Sequence, residues 1–328
     1  MRIALVGGAG FIGHHLALKL RGQGHDCLIV DSKLVNNLYT LGHGQELYRR
    51  MLDERESLLD MSRTPVLVLD ARNYHLLSHA LSAYRPDTVL HLAAVAHIDR
   101  SRKDPLSTFD HSLVTLENAL DVSVALGVQR FVYFSSSTVY GNFPSPVVDE
   151  ETPCNPIGTY GSLKLAGELM VKAYRNDKGL PYTIVRPQAL YGERCISRRV
   201  VQCFIEAALE GSSLRIAGDG TAEHDFTYIE DLVDGVCAAL RSEAAVDQTF
   251  CITAAEARSL DNLAEIVTTW IPASVEHGSV DDKPKRGTMS VDKARSLLNW
   301  GPRYDLDEGV KNYIRWYTRF WKEKRHAA

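Results

Sequence analysis

No stretch of this 328-residue chain approaches the eighteen or so consecutive apolar residues needed to span a bilayer. The first predicted strand begins at the second residue and leaves no charged segment ahead of a separate apolar one, so a cytoplasmic location is expected. Basic residues are not in excess. With 37 Lys and Arg against 41 Asp and Glu, the net charge is -4. That balance offers no broad basic surface, which argues against nucleic acid as the main ligand and against anionic membranes. Cysteine is sparse and scattered: Cys27, Cys154, Cys195, Cys203, Cys237 and Cys251 include no CxxC pair. Neither a zinc cage nor a disulfide framework is indicated, so reduced thiols and no metal are expected. Repeats and low-complexity tracts are also missing, and what remains is small-molecule chemistry in an ordinary globular chain, 45% hydrophobic and 24% charged.

Apolar, β-branched runs alternate with helical stretches at Ile3 to Val6, Leu28 to Val30, Val66 to Leu69, Thr88 to Leu92, Arg130 to Phe134 and Tyr182 to Val185. Strands alternating with helices predict an α/β chain with a doubly wound parallel sheet. The connection from Leu34 to Thr64 is long, polar and rich in both charge signs, and is expected to contain a surface helix. After about residue 178 the pattern shifts to short strands, turns such as Ala217-Gly218-Asp219-Gly220, and helices near Arg198 to Glu210 and Leu260 to Trp270. Residues 1–178 and about 229–253 are therefore expected to form the sheet domain, and 179–228 with about 254–328 a smaller α/β domain covering its carboxyl edge.

Residues 1–6 run directly into Gly7, Gly10 and Gly13, a strand breaking into a GxxGxxG turn and then an amphipathic helix. Such a turn suits a dinucleotide pyrophosphate. Gly7 permits the sharp turn, Gly10 lets backbone N–H groups approach the phosphates, and Gly13 lets helix and strand pack closely. The helix N-terminus adds partial positive charge. A second strand, Cys27 to Val30, ends in Asp31, where an acid would bind the adenine ribose.

The second signal is Phe134-Ser135-Ser136-Ser137-Thr138-Val139-Tyr140-Gly141 followed by Tyr160-Gly161-Ser162-Leu163-Lys164. On a helix Tyr160 and Lys164 share a face, and a nearby ammonium is expected to lower the phenol's pKa toward that of a working base. Tyr174 and Lys178 repeat the YxxxK spacing, but in a polar helix end without a serine cluster.

The chain resembles the extended short-chain dehydrogenase/reductases, specifically their NAD-dependent nucleotide-sugar epimerase/dehydratase group, whose Rossmann fold it is expected to share. The resemblance rests on the glycine turn with Asp31, His91-Leu92-Ala93-Ala94, the serine cluster, Tyr160 with Lys164, Arg186-Pro187, Gly218-Asp219-Gly220, Asp225-Phe226 through Asp231, and Asn299-Trp300-Gly301-Pro302. It implies catalysis by Ser136, Tyr160 and Lys164. It also implies an NAD site of Gly7, Gly10, Phe11, Ile12, Gly13, Asp31, Asp70, Ala71, Leu92, Ala93, Ala94, Ser112, Tyr160, Lys164 and Arg186. Asp31 would take the ribose diol and repel a 2′-phosphate, favouring NAD over NADP, while Asp70 would meet the adenine amino group. Ser136, Ser137, His224 and Arg286 are the expected substrate contacts. His91 reads as a histidine beside the cofactor rather than a proton carrier.

In the group's dehydratases an acidic pair follows the catalytic Ser or Thr, whereas Ser137 and Thr138 stand here and cannot move those protons. That favours an epimerase of a nucleoside diphosphate sugar, expected to act at C4. The alternatives are a keto-sugar reductase using NAD(P)H and, in another class, an NAD-binding sensor or scaffold without chemistry. Ser112, Ala189 and His224 depart from the residues usual at their positions, and loss of a bidentate cation and an amide weakens a diphosphate site. Arg194, Arg198, Arg199 and Arg286 are candidate replacements. Relatives commonly dimerise through the Tyr/Lys helix and its predecessor, so a homodimer is expected, with Leu113, Leu116 and Leu120 as apolar positions that suit either a partner or the sheet.

Overall fold

The structure, a computed structural model, describes residues 1–35, 46–96, 98–279 and 284–326. In chain order its strands begin with β1 (Arg2–Val6), β2 (Asp26–Asp31), β3 (Val66–Val68), β4 (Thr88–His91), β5 (Arg130–Phe134), β6 (Val147–Val148) and β7 (Tyr182–Arg186). Then follow β8 (Leu214–Ile216), β9 (Glu223–Asp225), β10 (Gln248–Cys251), β11 (Ala257–Ser259), β12 (Val275–His277) and β13 (Thr288–Met289). The helices begin with α1 (Phe11–Gly22), α2 (Glu46–Met61), α3 (Tyr74–Tyr84), α4 (Ile98–Lys103), α5 (Pro105–Phe109) and α6 (Thr115–Ala125). They continue with α7 (Gly158–Lys178), α8 (Val200–Glu210), α9 (Ile229–Arg241), α10 (Leu260–Trp270), α11 (Asp292–Leu298) and α12 (Leu306–His326). Among the described residues no helix is long and apolar enough to cross a membrane. Residues 36–45, inside the long connection expected to hold a helix, lie outside the described residues, and α2 occupies its second half.

Seven strands form one parallel sheet in the order β10-β7-β5-β4-β1-β2-β3. All six strands expected from the sequence are in it, and β10 joins at the β7 edge. Each buried strand feeds two cores because alternate side chains point to opposite faces. Ile3, Leu5, Ile29, Val132 and Phe134 enter one cluster, while Ala4, Val6, Leu28, Val30, Phe131 and Tyr133 enter the other. Near-continuous apolar strands of this kind require cover on both faces. Helices provide it: α1 and α9 pack on one side and are tied by Lys19 and Asp234 at 2.7 Å. On the other side α6 contributes Leu116 and Leu120, both fully buried, with Leu113 partly buried against them. Of the two faces open to these leucines, a partner or the sheet, Leu116 and Leu120 take the sheet, with Leu113 at its margin.

Outside the main sheet lie three two-stranded pairs, β11 with β9, β12 with β8 and β13 with β6, the last reaching back to a strand that precedes β7. Helix α12 lays Tyr313, Trp316, Tyr317 and Phe320 against the larger core. Its Tyr317 donates to Glu206 on α8, and so does Tyr48 on α2, at 2.6 Å. One carboxylate thus links three helices that are distant in sequence. All six cysteines are free, and burial lifts the Cys27 thiol to about 12 and the Cys237 thiol to about 11, which makes them unreactive.

Asp225, fully buried at the end of β9, accepts from Met289 N–H at 3.1 Å and the Thr253 hydroxyl at 3.0 Å, so it joins β9 to β13. Desolvation outweighs these bonds and pushes its carboxyl up to about 7. The folded chain therefore holds a proton there that the unfolded chain releases near pH 4, and stability falls as pH rises from about 4 to 7. In Asp225→Asn that loss disappears. Unfolding in urea at pH 5 and pH 8 should show the wild type losing more stability between the two than the variant, and equal losses would refute the assignment.

Candidate active site

At the carboxyl ends of β1 and β4, where the strand order reverses, the connections leave in opposite directions and open a crevice. It is a cavity of about 500 Å³. One wall is the glycine turn. Gly7 adopts φ +81, and a Cβ there would lie 2.4 Å from Ala93 N; a Cβ on Gly13 would lie 2.4 Å from Gly8 O. Gly10 is different, with only Gly7 O at 3.5 Å from where its Cβ would stand, so the open space there is left for a ligand. Gly10 is the N-cap of α1 and supplies no capping side chain, and the helix's first turn, Phe11, Ile12 and Gly13, lines the cavity. Uncapped N–H groups at a helix start are an anion site.

At the end of β2 the Asp31 carboxylate accepts from Ala9 N–H at 2.9 Å and Lys33 N–H at 2.8 Å, bonds that hold it at the cavity against the upward pull of burial on its pKa. Asp70 also lines the cavity, its carboxyl held below the usual range by Arg72, 2.6 Å away. Ala71, Leu92, Ala93 and Ala94 complete this side. A side-chain-free turn, an uncapped helix start and a carboxylate one strand over fit an adenine dinucleotide without a 2′-phosphate. Arg55 on α2 lines the same region although only 2% exposed, and donates to the Arg194 carbonyl at 3.0 Å. Its place was not readable in a helix whose partners are distant in sequence.

Two residues expected at the cofactor are elsewhere. Ser112 lies in a π-helical turn, Asp110–Val114, that brings His111 and Thr115, four residues apart, to the cavity. Ser112, between them in that turn, is buried and does not line the cavity. Arg186 faces away from the cavity and makes a two-pronged pair with Glu168 at 2.9 and 2.6 Å, while its Nη1 donates to the Tyr140 hydroxyl at 2.8 Å. Ser135 donates to the same Glu168 carboxylate. Arg186 is thus a strut between β7 and α7, set by a partner on another element. His91 at the end of β4 is stacked near Phe131 and Tyr133, and burial followed by the Lys164 charge pushes it down to about 3. It is neutral at physiological pH.

The turn after β5 and the start of α7 bring Ser136, Ser137, Thr138, Tyr160 and Lys164 to the cavity. The Ser136 hydroxyl, which favours the Tyr160 phenolate, accepts from Thr138 N–H at 3.2 Å. Gly161 and Gly167 let α7 lie close: Cβ atoms there would meet Thr138 O at 2.7 Å and the Tyr133 hydroxyl at 2.1 Å. The expected lowering of the phenol's pKa by Lys164 is corrected: the net shift is upward and Lys164 is not among its causes. Burial pushes the Tyr160 phenol up, and the groups that pull it back are Arg199 and then Ser136. Lys164 donates instead to the Phe134 carbonyl at 2.6 Å, and burial lowers its ammonium to about 8. The second Tyr/Lys pair, Tyr174 and Lys178, sits about 21 Å farther along the helix, away from the cavity.

Opposite stand Pro187, Gln188, Ala189, Ser197, Arg198, Arg199, His224 and Arg286. Arg286 donates to the Ser137 carbonyl at 3.3 Å and to Gly141 O, and burial lowers it to about 10. Arg194 is drawn off to His14, 3.0 Å away. Among the described residues no cluster of His, Cys, Asp and Glu is arranged to hold a metal.

Residues 3–252 match the model of the NAD dependent epimerase/dehydratase family. The chain belongs to that family, and NAD is its cofactor. It is 28% identical over 340 residues to UDP-glucose 4-epimerase of Lacticaseibacillus casei, covering 97% of each chain. It is 26% identical to UDP-glucuronic acid decarboxylase 1 of Danio rerio, covering the whole of this chain and 74% of that one. The crystal structure of UDP-glucuronic acid 4-epimerase from Bacillus cereus, in complex with UDP-glucuronic acid and NAD, superposes with a TM-score of 0.87 at 27% identity, over 97% of this chain and 99% of the other.

Removing one partner of the Arg186–Glu168 pair leaves a charge buried without compensation. Glu168→Ala should lower folding stability by about 3–5 kcal/mol in urea unfolding, and an apolar double replacement, Glu168→Leu with Arg186→Met, should recover most of it. A single-variant loss below about 1 kcal/mol would show that the pair is not structural.

Proposed function

We propose that the protein is an NAD-dependent epimerase of a nucleoside diphosphate sugar, acting at C4, with Tyr160 as its acid and base. The observation that carries this is one cavity containing the glycine turn, Ser136, the Tyr160 phenol and Lys164 one helical turn beyond it. The named relatives act on UDP-sugars, and two of the three are 4-epimerases. Ser137 and Thr138, in the positions of the dehydratases' acidic pair, weigh against loss of water and against decarboxylation.

Gly7, Gly10, Phe11, Ile12, Gly13, Asp31, Asp70, Ala71 and Leu92 to Ala94 would hold NAD, with Tyr160 and Lys164 at its nicotinamide end. When bound, NAD supplies a reversible acceptor for the electron pair and hydrogen of the sugar carbon. Tyr160 Oη removes the proton of the sugar hydroxyl and later returns it. Arg199 and Ser136 favour the phenolate against the burial that opposes it. The Ser136 hydroxyl, fixed by Thr138 N–H, is placed to bond the developing carbonyl oxygen. Lys164 has one N–H committed to Phe134 O and two left for the cofactor ribose or the phenolate. Arg198, Arg199 and Arg286, with His224, would neutralise the diphosphate. A homodimer is part of the same reading: Leu106 and Phe109 on α5 and Leu169 on α7 are apolar residues left exposed, at 72, 46 and 60%.

Tyr160→Phe should lower turnover of an accepted sugar nucleotide by about 10²–10⁴-fold with NAD still retained. A loss below tenfold would remove Tyr160 as the base. The purified wild type should carry NAD without addition, and release of oxidised cofactor at every turnover would instead make it a reductase. Activity should rise with pH along the phenol's titration. Because the Arg199 charge holds that phenol down, Arg199→Met should move the rising limb to higher pH, and an unmoved limb would discard this role.

A further inference from the structure

Two residues that line the cavity each bury a polar atom with no hydrogen-bond partner among the described residues: Gln188 its Oε1 and Thr138 its Oγ1. Gln188 is 4% exposed. Its Nε2 donates to the Gly287 carbonyl at 3.3 Å. That carbonyl can only accept, so the amide's orientation is settled chemically and the unpartnered end is the oxygen. The two residues belong to one corner. Ser137 N–H donates to the Pro187 carbonyl at 3.0 Å, joining the turn after β5 to the end of β7, and Arg286, next to Gly287, donates to the Ser137 carbonyl. The same corner carries Ser136, which lines the cavity together with the Tyr160 phenol.

Buried polar groups in folded proteins nearly all have partners, and those that do not are costly to keep. Two such atoms, on residues that line one cavity together with the phenol, are the pattern expected where the partner arrives with a ligand. From this we infer that Gln188, assisted by Thr138, reads a hydroxyl of the sugar ring, with Gln188 Oε1 accepting from that hydroxyl and the Thr138 hydroxyl completing the corner. The inference rests on the sugar-nucleotide reading of the cavity. It adds a selection rule, since an acceptor-only oxygen welcomes an O–H or N–H donor and repels a carboxylate at the same place. A site built around such a bond rejects an analogue that lacks the donor, because the protein atom is then left buried and unpaired.

The test measures binding by calorimetry to NAD-loaded protein in the Tyr160→Phe background, which prevents turnover, using UDP-glucose and its 2-, 3- and 6-deoxy analogues. One deoxy analogue should bind at least tenfold more weakly than UDP-glucose. Adding Gln188→Met, similar in length and without the acceptor, should weaken UDP-glucose to the level of that analogue and shrink the difference between them below threefold, leaving the other analogues' ratios unchanged. Thr138→Val, nearly isosteric, provides a second arm that does not depend on the first variant folding, and should shrink a deoxy penalty in the same manner. Deoxy ratios that neither variant alters, or a uniform weakening of every ligand, would overturn the inference while leaving the sugar-nucleotide reading intact. If the protein binds NAD but no UDP-sugar, that reading fails and this inference with it.

Discussion

The close passage of two backbones at the sheet's switch point is the constraint from which the rest follows. Gly7 and Ala93 come so near that no side chain fits at position 7, and Gly8 and Gly13 repeat the arrangement one step into the helix. These contacts draw α1 down onto the carboxyl end of β1 and leave its first N–H groups facing the crevice. They also set the level at which β2 and β4 end, since Val30 and His91 lie directly beside Val6. The cavity is the volume left when parallel strands stop at one height and their connections part.

Into that volume the fold delivers a phenol and an ammonium under opposing electrostatic demands. Burial disfavours the charged form of both, pushing Tyr160 up and Lys164 down to about 8. Two groups that titrate almost together in water are thereby drawn apart, so the phenol is the stronger holder of a proton and the ammonium the readier donor. The cost of keeping charge here is limited by committed partners: Phe134 O for the ammonium, Arg199 and Ser136 for the phenol. Beneath them, Glu168 satisfies Arg186 and Ser135 together, so β5, β7 and α7 are fixed relative to each other by one buried carboxylate.

Much of this could be read along the chain because it depends on short-range spacing. The six strands follow from apolar runs, and Tyr160 with Lys164 from a four-residue interval on one helix. What could not be read are the directions in which side chains turn once elements pack. Arg186 follows a strand end as a cofactor residue would, yet Glu168, 18 positions back, turns it inward. Ser112 is displaced by a π-helical turn that no local pattern announces. Leu116 and Leu120 fit either a partner or a sheet, and the sheet takes them. Arg55 and Gln188 reach the cavity from connections whose course is set only by tertiary contacts, through the Arg194 and Gly287 carbonyls respectively.

Charge along the cavity follows the sheet's topology. Asp31 and Asp70 come from the ends of β2 and β3, on one side of the switch point; Ser136 and Gln188 follow β5 and β7 on the other, and there the cavity gains Arg198, Arg199 and Arg286 against the single lining carboxylate of Asp99 on α4. Adjacent strands are about 4.8 Å apart, so the two groups are separated by several strand widths. A ligand laid across the switch point meets acids suited to ribose hydroxyls at one end and cations suited to an anion at the other. One neutral small molecule satisfies neither requirement. A dinucleotide spanning the glycine turn, with a second, anionic molecule beyond it, satisfies both, and the phenol stands where the two would meet.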